Sequence, residues 1–176
     1  MNAWHDISKN RITPDEFIAV IEIPKGSNEK YELDKESGLL ILDRILATST
    51  HYPENYGFIP KTLAGDNDPL DVLVICEEKL NPLSLVKCRP IGVLKMIDNN
   101  EVDEKIIAVP VNDSAAKEFT DIDNLPHYQF NRIKHFFEVY KYLENKQTVV
   151  DEIYPVDEAK EVIINCMENY NEKFKR

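Results

Sequence analysis

The chain has 176 residues, 43% apolar and 30% charged, with a formal net charge of −11. That length fits a single domain over residues 1–176 with a proper core. The acidic balance opposes a nucleic-acid-binding surface, which needs a basic patch, and opposes adhesion to an anionic membrane.

The opening Met1-Asn2-Ala3-Trp4-His5-Asp6 has neither a basic start nor an apolar core, so no secretory signal is expected. No apolar run reaches the roughly 18 residues of a membrane span. Cys76, Cys88 and Cys166 are odd in number and widely spaced. They suggest buried free thiols in a reducing, cytoplasmic compartment rather than a disulfide framework or a zinc site.

Thr13-Pro14-Asp15-Glu16 carries the signature of a capped helical turn. Phe17 to Ile23 reads as a β-branched strand stopped by Pro24. Lys30 to Asp34 and Leu39 to Leu46 read as two further strands, each preceded by a turn. A loop rich in Tyr, Pro and Asn is expected over 49–61. Val72 to Cys76 is a buried strand. Val86 to Ile97 carries Pro90 and Gly92 and reads as two strand halves bent at a bulge. Lys105 to Val111 is the last clear strand. A short helix follows Asp113-Ser114. Helical stripes then run over His127 to Glu144 and Glu158 to Lys173. Strands first and helices last predict an α+β fold: a small, closed or partly open five-stranded β-barrel, OB-like, flanked by two main C-terminal helices.

The most informative stretch is Gly65-Asp66-Asn67-Asp68-Pro69-Leu70-Asp71-Val72. Three carboxylates this close repel one another unless a cation neutralises them or water solvates them all. Extended backbone would set Asp66 and Asp68 on one side. Pro69 stiffens the corner, and Asp71 sits at the mouth of a buried strand. Such a rigid set of oxygens suits a hard cation such as Mg²⁺; a solvated Asx turn is the plainer reading. A calcium loop counted from Asp66 fails, because Asp71 stands where that loop needs glycine and strand residues follow instead of helix. An oligonucleotide-binding barrel lacks the basic, aromatic stripe it would need.

Further charges sit on strands or at their ends. The acidic set is Glu22, Glu32, Asp66, Asp68, Asp71, Asp98 and Asp103. The basic set is Lys30, Arg44, Lys105 and Lys141. Convergence of the two sets would give carboxylates for several divalent cations and cationic groups for a polyanion, the mixture that phosphoryl transfer requires. Spacing alone does not make them converge.

The chain closely resembles the soluble family I inorganic pyrophosphatases of the short prokaryotic type. Asp66-Asn67-Asp68-Pro69-Leu70-Asp71-Val72 fits that family's signature. The resemblance continues through Val20-Ile21-Glu22-Ile23-Pro24, Lys30-Tyr31-Glu32, Asp43-Arg44, Tyr52-Pro53-Glu54-Asn55-Tyr56-Gly57, residues 88–96 and residues 135–141. It implies that Asp66, Asp71 and Asp103 ligate the tightest metal, with Asp71 bridging to a second. Asp98 and Asp103 hold a metal arriving with substrate, Glu32 helps hold another, and Glu22 supports the site. Asp68 is the implied general base, with Tyr56 hydrogen-bonding nearby. Lys30, Arg44, Lys105, Tyr140 and Lys141 grip the phosphoryl groups, and Tyr52 lines the same cavity. The implied reaction is in-line attack of a metal-bridging hydroxide on pyrophosphate, without a covalent intermediate. Mg²⁺ is the implied cofactor, Mn²⁺ or Zn²⁺ its substitutes, and a homo-hexamer built as a dimer of trimers the implied assembly. The chain departs from the family at Val139, where short members often carry a second histidine at a subunit contact. It departs again at Thr148 and Tyr154, where tryptophans are often found.

Overall fold

The computed structural model describes residues 1–175. The strands are β1 (Phe17–Ile23), β2 (Glu29–Leu33), β3 (Leu40–Ile45), β4 (Asn55–Ile59), β5 (Leu70–Val74), β6 (Leu85–Asp98), β7 (Glu101–Pro110) and β8 (Thr148–Pro155). Two α-helices, α1 (His127–Val139) and α2 (Val156–Phe174), flank β8.

β1 pairs along one edge with β4 and along the other with β6, which is why all its residues are buried. β4 pairs with β5, β5 runs parallel to β7, and β7 pairs with β6, so five strands close into a ring. The expected OB-like arrangement is therefore present. Its membership differs from the expected strands, because β4 enters the ring while β2 and β3 form a separate two-stranded sheet. The bend expected in β6 is a register shift between Pro90 and Gly92. Before it β6 pairs with β1, and beyond it the same edge pairs with β8.

The turn at Thr13 does not become helix. The Thr13 hydroxyl accepts from the Glu16 amide at 3.0 Å, and the chain then passes directly into β1. One turn cannot offset the cost of helix nucleation, whereas the apolar residues from Phe17 onward gain by strand burial. β4 was expected as loop because Asn55, Tyr56 and Gly57 are turn-like residues. Asn55 is nevertheless buried; its amide accepts from the Lys25 and Leu80 amides and donates to the Glu78 carbonyl. A Cβ at Gly57 would lie 1.9 Å from the Val20 carbonyl oxygen, so glycine is what lets β4 press against β1. β8 carries no strand signal because only Val150 and Ile153 are buried and Asp151-Glu152 interrupts its apolar run, as suits a strand paired on one edge only.

Strand alternation feeds two large cores, and Val20, Leu33 and Phe58 pack with Trp4, Leu63 and Tyr170 in a smaller third. Leu73, Leu94, Met96 and Ile107 pack with Ile133, Phe136, Phe137 and Tyr140 at α1. Val72, Val74, Val93, Ile106 and Ala108 pack with Ala159, Val162, Ile163 and Cys166 of α2. Burial of each Phe at α1 contributes roughly 1.5–3 kcal/mol. The expected helix over 127–144 stops at Val139, and a 3₁₀ turn, Tyr142–Glu144, continues it; Asn145 then ends it at φ +56°. All three cysteines are free thiols. Among the described residues, no helix is long and apolar enough to cross a membrane.

Candidate active site

The face that α1 covers is apolar along most of its length and charged at one end. Asp71 is placed by β5 two residues before Leu73, Asp98 by β6 two after Met96, and Asp103 and Lys105 by β7 just before Ile107. Strand period two keeps each on the α1 side. Register completes the convergence: Asp71 and Leu94 lie opposite Lys105, and Met96 lies opposite Asp103. Asn99 and Asn100, both at positive φ, turn β6 back into β7 with only two residues between the strands.

Lys105 is the hub. It is 2% exposed, and its ammonium donates to Asp71 Oδ2 at 2.8 Å, to the two Asp103 oxygens at 3.2 and 3.1 Å and to the Tyr56 hydroxyl at 2.9 Å. Burial by itself would discharge this lysine, but Asp103 and Asp71 outweigh it and raise its pKa well above the ordinary value. Burial pushes the Asp103 carboxyl up despite the lysine. The Tyr56 hydroxyl donates to Asp71 Oδ2 at 2.6 Å, and burial raises its pKa so far that it stays protonated.

The aspartate loop is folded rather than extended. Asp66 Oδ1 accepts from the Asp68 amide at 3.0 Å, Asn67 sits at φ +68°, and the Ala64 amide reaches the Asp68 carbonyl at 2.8 Å. Thr62 closes the base, donating to the Ile59 carbonyl and accepting from the Leu70 amide. Asp66 is open to solvent overall, yet partial desolvation and then repulsion from Asp71, Asp68 and Asp103 raise its pKa. Asp68 pairs with Lys35, which follows β2.

Opposite stand the β2–β3 hairpin and the end of α1. Glu22 is the extra residue where the β1–β4 register shifts between Ile21 and Ile23, a bulge that re-aims its side chain. Its Oε1 accepts from the Leu33 amide at 2.7 Å, which ties the hairpin to β1. Burial first, then Asp71, raises the Glu22 pKa to about 8. Lys30 lies 2.8 Å from Asp43 and 3.5 Å from Glu32. Lys141 pairs with Asp98, next to the buried Tyr140.

These groups surround one cavity of about 540 Å³. Its lining includes Glu22, Lys30, Glu32, Tyr56, Asp66, Asp68, Asp71, Asp98, Asp103, Lys105, Tyr140 and Lys141, twelve of the fourteen residues expected from sequence. Tyr52 and Arg44 are not in it. Tyr52 is 2% exposed and wedged between Tyr56 and Phe136 at ring distances of 5.2 and 4.6 Å, so it backs Tyr56 rather than facing the space. Arg44 is turned to Asp43 and Glu144. Lys35 lines the cavity unannounced, because Asp34-Lys35-Glu36-Ser37-Gly38 reads as an ordinary turn.

Eight carboxyl groups line the cavity against four lysines. That surplus would repel an anionic ligand unless external cations offset it. The donors are all oxygen, the set a hard divalent cation prefers. Asp98 Oδ1 is buried with no hydrogen-bond partner, which also fits a cation. Among the described residues no three carboxylate, imidazole or thiol side chains stand close enough to form a metal cluster as placed; Lys105 neutralises Asp71 and Asp103 in that arrangement.

Fold and site together define an OB-like strand ring with a cavity lined by clustered carboxylates and lysines. The comparisons narrow this. The family described as "Inorganic pyrophosphatase" matches residues 19–171. The chain is 48% identical to "Soluble inorganic pyrophosphatase 2" of Chlamydomonas reinhardtii over 97% of its own length and 89% of that protein's. It superposes on the inorganic pyrophosphatase from Thermus thermophilus with TM-score 0.93 at 37% identity, covering 97% and 99% of the two chains. The Helicobacter pylori inorganic pyrophosphatase gives 0.87 at 45% identity, with 90% and 95% covered. The chain belongs to the inorganic pyrophosphatase family.

Proposed function

We propose that this protein is a divalent-cation-dependent inorganic diphosphatase that hydrolyses pyrophosphate to two phosphates by direct in-line attack, with no covalent intermediate. The observation that carries this reading is the meeting of Asp66, Asp68, Asp71, Asp98 and Asp103 with Lys30, Lys105 and Lys141 around one cavity. Asp66, Asp71 and Asp103, then Asp98, and then Glu32 and Glu22 would hold the cations. Mg²⁺ suits them best, with Mn²⁺ or Zn²⁺ as substitutes. Such cations would supply Lewis-acid stabilisation of phosphate charge and a lowered pKa for water.

The chain's own part is positional and electrostatic. Asp68, on the rigid turn held by Asp66 and Ala64, takes the proton of the attacking water. Tyr56 holds Asp71 through its hydroxyl. Lys30, Arg44, Lys105, Lys141 and the protonated Tyr140 donate to the phosphoryl oxygens and stabilise the leaving phosphate.

The test is phosphate release from pyrophosphate with Mg²⁺, then with excess chelator, and with ATP in parallel. Fast release that chelator abolishes, with ATP nearly untouched, is expected. A folded protein that releases no phosphate would refute the proposal. We also propose a homo-hexamer, a dimer of trimers, acting in the cytoplasm; sedimentation equilibrium at the hexamer mass tests the assembly, and the free thiols support the compartment.

A further inference from the structure

Arg44 is the one expected phosphate ligand that the cavity lining lacks, and its surroundings single out a residue with no role in the reading above. The guanidinium offers five N–H groups in a fixed fork. Its Nε lies 2.6 Å from Glu144 Oε1 and its Nη1 lies 2.6 Å from Asp43 Oδ2. Its Nε and Nη2 are both buried without a hydrogen-bond partner, and so is Glu144 Oε2, so Glu144 holds Arg44 by ion pairing rather than by an aligned hydrogen bond. The side chains of Arg44 and Glu144 are 24% and 20% exposed. This pair is therefore partly desolvated, unlike the open ion pairs elsewhere on the surface.

The placement of the pair matters as much as its geometry. Arg44 lies on β3, directly opposite Lys30 of β2. That hairpin belongs to neither edge of the larger sheet. Glu144 closes the 3₁₀ turn that begins one residue after Lys141. Its amide donates to the Lys141 carbonyl at 3.0 Å, so Glu144 and Lys141 move as one turn. One ion pair thus links the element that carries Lys30 and Arg44 to the segment that carries Tyr140 and Lys141.

We infer that Glu144 is a positioning residue: it anchors the Arg44 guanidinium through an ion pair at the Nε side, leaves Nη2 as a donor without a protein partner, and fixes the hairpin cations against Lys141 so that both sides close on one phosphoryl group. This rests on the proposed pyrophosphate reading. Glu144 touches no reacting atom; it acts through Arg44.

The test is a double-mutant cycle on the full chain, comparing Glu144→Ala, Arg44→Ala and the double variant. It is read as KM and kcat for pyrophosphate and as affinity for non-hydrolysable methylenediphosphonate by calorimetry. Loss of a partly desolvated ion pair that orients a binding group predicts an increase of about tenfold in KM and in the diphosphonate Kd for Glu144→Ala. kcat should change much less. Arg44→Ala should cost at least as much, and the double variant should match Arg44→Ala alone. Glu144→Asp, which keeps the carboxylate charge, should restore part of the affinity. Effects that add fully in the double variant, or wild-type KM and Kd in Glu144→Ala, would overturn the inference. Binding of the diphosphonate by a wild-type chain that releases no phosphate would defeat the proposed hydrolysis while leaving the cycle readable. A wild-type chain that binds no diphosphonate would overturn the inference as well.

Discussion

Replacing Lys105 with methionine removes the charge at the centre of the site while keeping an unbranched side chain of similar length. The ammonium is buried, and its partners Asp71 and Asp103 have side chains 25% and 17% exposed. Breaking a buried ion pair by deleting one partner costs about 3–5 kcal/mol, because the remaining charges are uncompensated. Residual solvent access at both aspartates places Lys105→Met at the lower end, about 3 kcal/mol. For a chain of this size that corresponds to a fall of roughly 6–12 °C in melting temperature. The loss should depend on pH. Burial already raises the Asp103 pKa, and without Lys105 it rises further. A carboxyl whose folded pKa exceeds its unfolded one stabilises the fold below the unfolded value, and that stability drains away as pH rises through the folded value. The variant should therefore fall further behind wild type as pH climbs out of the ordinary carboxylate range. Calorimetric melting in chelator at pH 5 and pH 8 measures this. A variant as stable as wild type at both, or one more impaired at pH 5, would refute the hub assignment.

Asp68→Asn should cut phosphate release by about 10²–10⁴-fold with a nearly unchanged melting curve, since the carboxylate is half exposed and its ion pair with Lys35 lies open to solvent; near-normal turnover would remove Asp68 from the mechanism. Gly57→Ala should destabilise by at least about 2–3 kcal/mol in urea titration, because the added Cβ meets the Val20 carbonyl in backbone that cannot yield. Glu22→Gln, measured in chelator, should flatten the pH dependence of stability. Burial raises the wild-type Glu22 pKa from an ordinary 4.5 to about 8, so its contribution is complete below 4.5 and is lost as pH rises through 8. The neutral amide should keep the Leu33 hydrogen bond and make the variant the more stable protein at pH 8; equal slopes from pH 5 to 8 would contradict the assignment.

The sequence by itself determined the OB-like class, the bend at Pro90 and Gly92, both helical stripes and the chemistry-bearing residue types. Each is written in local periodicity or in a residue whose conformational limits do not depend on context. Burial that reverses local preference stayed hidden. Asn55 and Gly57 read as loop residues until β1 and β5 supplied the partners that make them strand. The charged residues showed only that carboxylates and cations were numerous. Their meeting depends on the parallel register of β5 with β7, on the bulge that turns Glu22 inward and on the turn that sets Lys141 beside Asp98. Glu144 carried no signal, since a glutamate near a helix end is usually solvated and Arg44 lies 100 positions earlier in the chain. Local sequence determined what each segment could be; long-range pairing decided which charges face one another, because electrostatic contact depends on distance in space, which the order of residues does not contain.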